Sequence, residues 1–355
     1  MSVARTIQRS ATGFGRINAI LVVNAGSTSL KLSSVEADGS TTTLESLDVV
    51  PAEVAAVAHR IVHGGARFRE PVLVDDEVVD ELARLTELAP LHMAPAVAAL
   101  REARAELPHL LHVAVFDTAF HTTLPEEAST YALPRRVRDD WGIRRYGFHG
   151  LSVQWASERV RAERLVVCHL GGGCSVTAVR NGRSVDTTMG FTPLEGVPMA
   201  TRPGTVDPGA LLYLLRHHQS IDELDRMLEH ESGLAALSEL SGDVRDLESS
   251  KAPAARLALV VFTYRVAAAV GAMTTALGGL DALVFTAGIG ENSASVRVAV
   301  CERLRFLGVE LDAEANAGAT PDATVSASDS LVRVVVLEAR EDIVAARATR
   351  ELLDL

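Results

Sequence analysis

Two stretches of this chain resemble each other. Residues 21–39 read LVVNAGSTSLKLSSVEADG, and residues 165–182 read LVVCHLGGGCSVTAVRNG. Each is an apolar run, a turn of small residues, a second strand-forming run, and a hairpin signal (ADG or RNG) before a third run. The second copy starts 144 residues after the first. That interval is too long for a solenoid repeat and fits a duplicated domain. A chain of 355 residues holds two domains of ordinary size with a cleft between them.

Helical patterns fill the intervals: residues 76–104, split near Pro90 and Pro95, then 212–235, 253–280, 294–307 and 341–353. Short apolar strands are expected at 110–116, 282–286 and 331–337, and residues 313–328 read as a loop. Strands interleaved with long helices define an α/β fold. The expected layout is a short flexible leader over 1–16, a first domain over 17–163 and a second over 164–329. The C-terminal helix, within about 330–355, then returns to the first.

Composition excludes several classes. Acidic residues outnumber basic ones, 46 to 34, and no Lys/Arg-rich run offsets the net charge of −12. Nucleic acid and anionic membrane surfaces are therefore poor partners. The longest apolar stretch, 257–280, is interrupted by Tyr264 and Arg265 and reads as a core helix rather than a membrane span. Cys168, Cys174 and Cys301 have neither a paired framework nor CxxC spacing, which disfavours disulfides and zinc and fits a reducing cytoplasm. Only Lys31 and Lys251 are lysines, so a lysine within a motif is notable.

Three glycine-rich turns follow apolar strands: Asn24 to Lys31, His169 to Gly173 and Thr286 to Asn292. Small residues let backbone N–H groups approach a phosphate closely. No GxxxxGK[ST] loop is present, and the third turn has only the first two glycines of a dinucleotide fingerprint. Three such turns spread over both halves point to a nucleotide held between domains. Arg60, in HRIVHGG, can clamp a carboxylate or phosphate. Asp117 follows a strand, at the sheet edge where ligands of open α/β folds bind. His149 stands between glycines, Arg202 lies in a proline-rich coil, and Asp243 reads as a helix cap.

In order, NAGSTSLK, HRIVHGG, LAPLH, VFDTAFH, RYGFHG, HLGGGCSV, FTPLEG…ATRPGTVDPG, DVRDL and FTAGIGENS resemble the motifs of the acetate kinase family, over residues 21–347. The resemblance implies duplicated actin-like (ribonuclease H-like) ATPase domains with nucleotide in the interdomain cleft. It implies reversible phosphoryl transfer between ATP and acetate, with Mg²⁺ or Mn²⁺, in a cytoplasmic homodimer. By the same resemblance Asn24 and Glu341 hold the metal and Lys31 lies near the phosphates. Asp117 is the essential carboxylate, Arg60 and Arg202 bind the acetate carboxylate and the transferring group, and His149 stabilises the transition state. Val62, Leu91, Phe148 and Pro193 wall the acyl pocket. His169, Leu170, Gly171, Gly172 and Gly173, with Asp243, Val244 and Arg245 and with Gly288, Ile289, Gly290, Glu291 and Asn292, cradle the nucleotide.

The chain departs from the family pattern in four places. HLGNG reads HLGGG, removing an amide side chain at Gly172; PLHNP has Met93 and Ala94 after His92; GFHGTSH reads GFHGLSV; and the terminal motif reads Ala339-Arg-Glu-Asp342. Alternatives to acetate kinase are a propionate- or butyrate-type kinase, a diphosphate-using relative, or a nucleotide-binding protein without catalysis.

Overall fold

The computed structural model describes residues 19–25, 30–217 and 219–355. The expected leader, and the turn residues Gly26, Ser27 and Ser29, lie outside them.

The first half builds a six-stranded sheet from β1 (Ala19–Ala25), β2 (Leu30–Val35), β3 (Thr41–Leu44), β4 (Val54–Ile61), β5 (Val72–Leu73) and β6 (Leu111–Phe116), in the order β3-β2-β1-β4-β6-β5. The second sheet uses β7 (Arg164–Leu170), β8 (Cys174–Arg180), β9 (Arg183–Thr187), β10 (Ala282–Thr286), β11 (Ala323–Thr324) and β12 (Arg333–Leu337), in the order β11-β12-β10-β7-β8-β9. The repeats form equivalent antiparallel hairpins, β1–β2–β3 and β7–β8–β9.

Alternation along β1 assigns its faces. Leu21 and Val23 join the main core together with α2 (Pro90–Glu106), while Ile20 and Val22 pack with Val344, Ala345 and Ala346 of α14 (Glu341–Leu353). On β7, Val166 and Cys168 face the core shared with α10 (Pro253–Leu277), and Leu165 and Val167 meet Val153 and Ala156 of α5 (Gly150–Arg159). Trp155 of α5 belongs to both smaller clusters, so this helix bridges the two sheets. By length and composition α10 could cross a membrane, but its buried face covers the second sheet; it begins with Pro253 at N1 and ends at left-handed Gly278.

Several expected boundaries move. Residues 76–104 divide at Pro90 alone: α1 (Asp76–Arg84) is followed by a 3₁₀ turn and α2, and Pro95 stays inside α2, whose Ala96, Val97 and Leu100 are buried in the core. After the short helices α3 (Glu126–Ser129) and α4 (Arg135–Trp141), the single helix expected over 212–235 is three: α6 (Pro208–Arg216), α7 (Ile221–His230) and α8 (Gly233–Ser238). Ser220 and Glu223 form a reciprocal cap that starts α7, and left-handed Gly233 redirects the chain into α8. Asp243 caps α9 (Val244–Ser249) as expected. Beyond α11 (Ala287–Asn292), α12 (Ala294–Glu302) stops short of 307 in a 3₁₀ turn closed by Gly308. The expected 313–328 loop contains α13 (Ala313–Ala317), capped by Asp312, and β11. The second half extends past 329: β12 belongs to the second sheet, and only α14 crosses back.

Candidate active site

Parallel register gathers the first group. β1 pairs with β4 so that Asn24 lies beside Arg60, and β4 pairs with β6 so that Ile61 lies beside Phe116, after which Asp117 follows at the strand end. Arg60 grips Asp117 with two prongs, Nε to Oδ1 at 2.9 Å and Nη2 to Oδ2 at 2.7 Å. Its Nη1 donates to Asn24 Oδ1 at 3.1 Å and pairs with Glu341 Oε2, from the start of α14, at 2.9 Å. Burial pushes the Asp117 carboxyl above its ordinary value, against the pull of Arg60. Burial also works against the Arg60 charge, but Asp117 and Glu341 outweigh it and keep the guanidinium protonated.

The second group meets at the turn between β7 and β8. A Cβ on Gly173 would lie 3.1 Å from Arg202 Nη2 and 3.2 Å from His149 Nε2, so glycine here leaves those two side chains room to converge. His149 has φ 58°, and a Cβ on the next residue, Gly150, would sit 2.1 Å from the Asp117 carbonyl oxygen. The Gly150 N–H donates to that same oxygen at 2.9 Å, pinning the histidine segment to the carboxylate segment. His149 Nδ1 is 3.0 Å from Ser175 Oγ; its ring stacks on His169 at 4.0 Å, and His169 Nδ1 is 2.8 Å from Ser152 Oγ. Burial, with the neighbouring His169, Arg60, Arg202 and His92, holds His149 uncharged. Burial and Arg60 push His169 down to about 3, and burial with Arg202 and Arg60 does the same to His92. Arg202 is buried, and its Nη1 donates to the Pro193 carbonyl at 3.0 Å.

The two glycine turns of the second half lie side by side. His169 pairs with Thr286 in register, and a Cβ on Gly171 would be 3.5 Å from Ala287 Cβ. Gly172 and Gly288 are exposed, and a Cβ on either would meet nothing within 4 Å. Leu170 and Gly290 are buried and Ile289 is half-buried. Asn292 Nδ2 donates to the Gly288 carbonyl at 2.8 Å. Asp243 and Arg245 engage each other, and Val244 is buried. The Glu291 carboxylate turns to the backbone N–H groups of Ala287 and Ala339. Lys31 is exposed on β2 opposite Asn24. Of the residues expected to wall an acyl pocket, Val62, Phe148 and Pro193 are buried and Leu91 is half-buried. A cavity of about 660 Å³ lies elsewhere, lined by Arg145, Val197, Gly233 and Met273 among others, and includes none of these four.

Sequence reasoning missed His92, Ser152 and Ser175. His92 was legible as the polar residue in LAPLH. The serines gain significance only through ring nitrogens on other elements.

Two six-stranded mixed sheets of matching order, bridged by α5, define a two-domain α/β protein of the actin-like ATPase class. The family model described as Acetokinase family matches residues 41–347, and the chain belongs to that family. It is 49% identical over 313 residues to the acetate kinase of Synechococcus sp. (strain JA-2-3B'a(2-13)), covering 85% of this chain and 77% of that one. It is 45% identical over 317 residues to the acetate kinase of Nostoc punctiforme, covering 86% and 77%. Among solved structures, a propionate kinase from Francisella tularensis superposes with TM-score 0.86 at 31% identity, covering 93% of this chain and 98% of that one. The acetate kinase of Porphyromonas gingivalis gives 0.83 at 31%, covering 95% and 100%.

Proposed function

We propose that this protein is an acetate kinase: it transfers the γ-phosphoryl group of ATP to the acetate carboxylate, reversibly, giving acetyl phosphate and ADP. The observation that carries the reading is the convergence of Arg60 with Asn24, Asp117 and Glu341 on one wall, and of Arg202 and His149 at Gly173 on the other. Phosphoryl transfer asks the protein for in-line positioning and positive charge more than for covalent chemistry.

Acetate is already a nucleophile, so no base has to activate it. Arg202 and Arg60 bind the acceptor carboxylate and the equatorial phosphoryl oxygens. With Ser175 donating its hydroxyl to Nδ1, His149 carries its proton on Nε2 and donates from there to the transferring group as a neutral imidazole. The exposed turns around Gly172 and Gly288 hold ATP through backbone N–H groups. Three side chains offering oxygen, Asn24, Asp117 and Glu341, gather around a single cation in this structure, a donor set suited to a hard divalent ion. Those residues would hold Mg²⁺ or Mn²⁺, which when bound supplies charge neutralisation at the phosphate oxygens. Val62, Leu91, Phe148 and Pro193 confine the acyl tail.

The working site is the cytoplasm, consistent with three buried free thiols. The active form is a homodimer; exposed Leu257, Val260 and Tyr264 on one side of α10 supply apolar surface of the kind self-association buries. A coupled assay for ADP formation with acetate, ATP and Mg²⁺ tests the reading. Acetate-dependent turnover is expected, and its absence at saturating substrates would overturn the assignment.

A further inference from the structure

One carboxylate oxygen joins the nucleotide-side turn to the chain segment that crosses between the halves. Glu291 Oε1 accepts the N–H of Ala287 at 2.8 Å and the N–H of Ala339 at 2.9 Å. Ala287 opens α11 in a left-handed conformation, φ 66°. Ala339 lies between β12 and α14, two residues before Glu341, which pairs with Arg60 at 2.9 Å. The other end of α11 is also fixed. Arg297, 1% exposed, donates from Nη1 to the carbonyls of Gly290 and Glu291 at 3.0 and 2.8 Å, and from Nε to Asn316 at 2.7 Å. Arg297 therefore ties α11 to Asn316 within the second half, while Glu291 ties it to the crossover.

We propose that Glu291 is a positioning residue: without touching nucleotide, it sets the turn at 287–292 and Glu341 as one piece, so that nucleotide held by the turn is placed in register with the wall built by Glu341, Arg60 and Asp117. This deepens the phosphotransfer reading and rests on it. Two residues of chain span no more than about 7 Å, so little slack separates Ala339 from Glu341. Burial pushes the Glu291 carboxyl up, the N–H groups of Ala339 and Ala287 pull it down, and Glu338 and Asp322 add to the rise; no cation pairs with it among the described residues. What the two N–H donors need from this side chain is an acceptor oxygen at the right reach. A Gln side chain keeps that oxygen. Asp keeps the charge but shortens the reach by one methylene.

The test measures ADP binding by calorimetry in the presence of Mg²⁺, without turnover, alongside steady-state kinetics and melting temperature. Glu291→Gln is expected to stay within about threefold of wild type in ADP affinity, while Glu291→Asp and Glu291→Ala lose on the order of tenfold in affinity and in kcat. In a Glu341→Gln background the Glu291→Ala effect on ADP should shrink to under about threefold, because the two act through one path. A hydrogen-exchange measurement on wild type gives a second reading: ADP should slow exchange over residues 338–342. The proposal is overturned if Glu291→Gln is as impaired as Glu291→Ala, if the Glu291 and Glu341 effects simply add, or if only melting temperature falls. It is also overturned if ADP leaves 338–342 unprotected, an outcome that stands even where the Ala and Asp variants do not fold. A wild type that binds ADP but shows no acetate-dependent turnover would fail the functional reading alone.

Discussion

At the end of β1 the first half offers the amide oxygen of Asn24 to Arg60. At the same place in the repeat, 144 residues on, stands Cys168, a fully buried thiol that burial drives well above its ordinary pKa. The hairpins match, and the chemistry at their ends does not. The first half gathers side-chain oxygens around one guanidinium. The second supplies glycine turns and the neutral His169, and places Arg202 against Gly173. The two hairpins carry different chemistry at matching places, and the function proposed above assigns metal and acceptor to the oxygen-rich wall and nucleotide to the glycine turns.

The sharpest attempt to break this division is Asp117→Asn. It preserves shape and one acceptor but removes the charge that the two-pronged Arg60 contact answers. Turnover should fall on the order of a thousandfold in a variant that still folds at assay temperature, as expected when a preorganised electrostatic element is lost, while the weakened Arg60 contact also lowers the melting temperature. Near-normal kcat would show that the oxygen-rich wall is structural.

Val62, two residues beyond Arg60, is 5% exposed and belongs to the main core. If the first-half wall also selects the acyl chain, Val62→Ala should raise kcat/KM for butyrate relative to acetate by roughly tenfold to a hundredfold. A core truncation would instead cost about 1–3 kcal/mol of stability at an unchanged ratio.

Acid should also separate the halves. Burial pushes His59 and His92 to about 3, and His63 and His121 to about 4, all in the first half; in the second, His169 is pushed to about 3. Unfolded, these groups titrate near pH 6.5, so between there and about 4 the unfolded state binds more protons. Stability is then fully present above about 6.5 and falls as pH drops, by up to about 1.4 kcal/mol per pH unit for each histidine. With exchange rates corrected for the slower intrinsic exchange at pH 5, protection at pH 5 relative to pH 7 should fall in β4 and β6 before β7 and β10. Equal loosening of both sheets would erase the asymmetry.

The smallest effects lie within one turn. Gly173→Ala intrudes on Arg202 and His149 and should lower kcat roughly tenfold, since misplacing catalytic groups is costly. Gly172→Asn meets open space and should improve ATP KM or kcat by a few-fold, the value of about one hydrogen bond. A loss at Gly172 equal to that at Gly173 would show that the turn cradles phosphate by backbone alone.

Much of this was legible in sequence because local chemistry specifies it. The repeats, the strand at 282–286 and the helix at 341–353 follow from apolar runs, and Asp243 from its capping position. The break before α7 was missed, although Ser220-Ile-Asp-Glu223 carries a capping-box spacing that marks it. Other features were not legible. Pro95 remains helical because its neighbours are buried, a tertiary effect that overrides local preference. The pairing of β12 with β10 is set by a partner some fifty residues away in sequence. Glu291 reads in sequence as one more residue of a glycine turn; its role depends on where Ala339 passes.

The return of α14 has a consequence for how the protein is made. One face of the first sheet, including Ile20 and Val22, is covered by Val344, Ala345 and Ala346, and Thr41 bonds Asp342 across 301 residues. At roughly 5–20 residues per second of synthesis, that face waits on the order of tens of seconds for its cover. During that interval the ribosome holds a first half that can pair its strands but cannot finish its core. The second sheet also waits, since β12 is made only just before α14, so both sheets are completed within a few residues of each other.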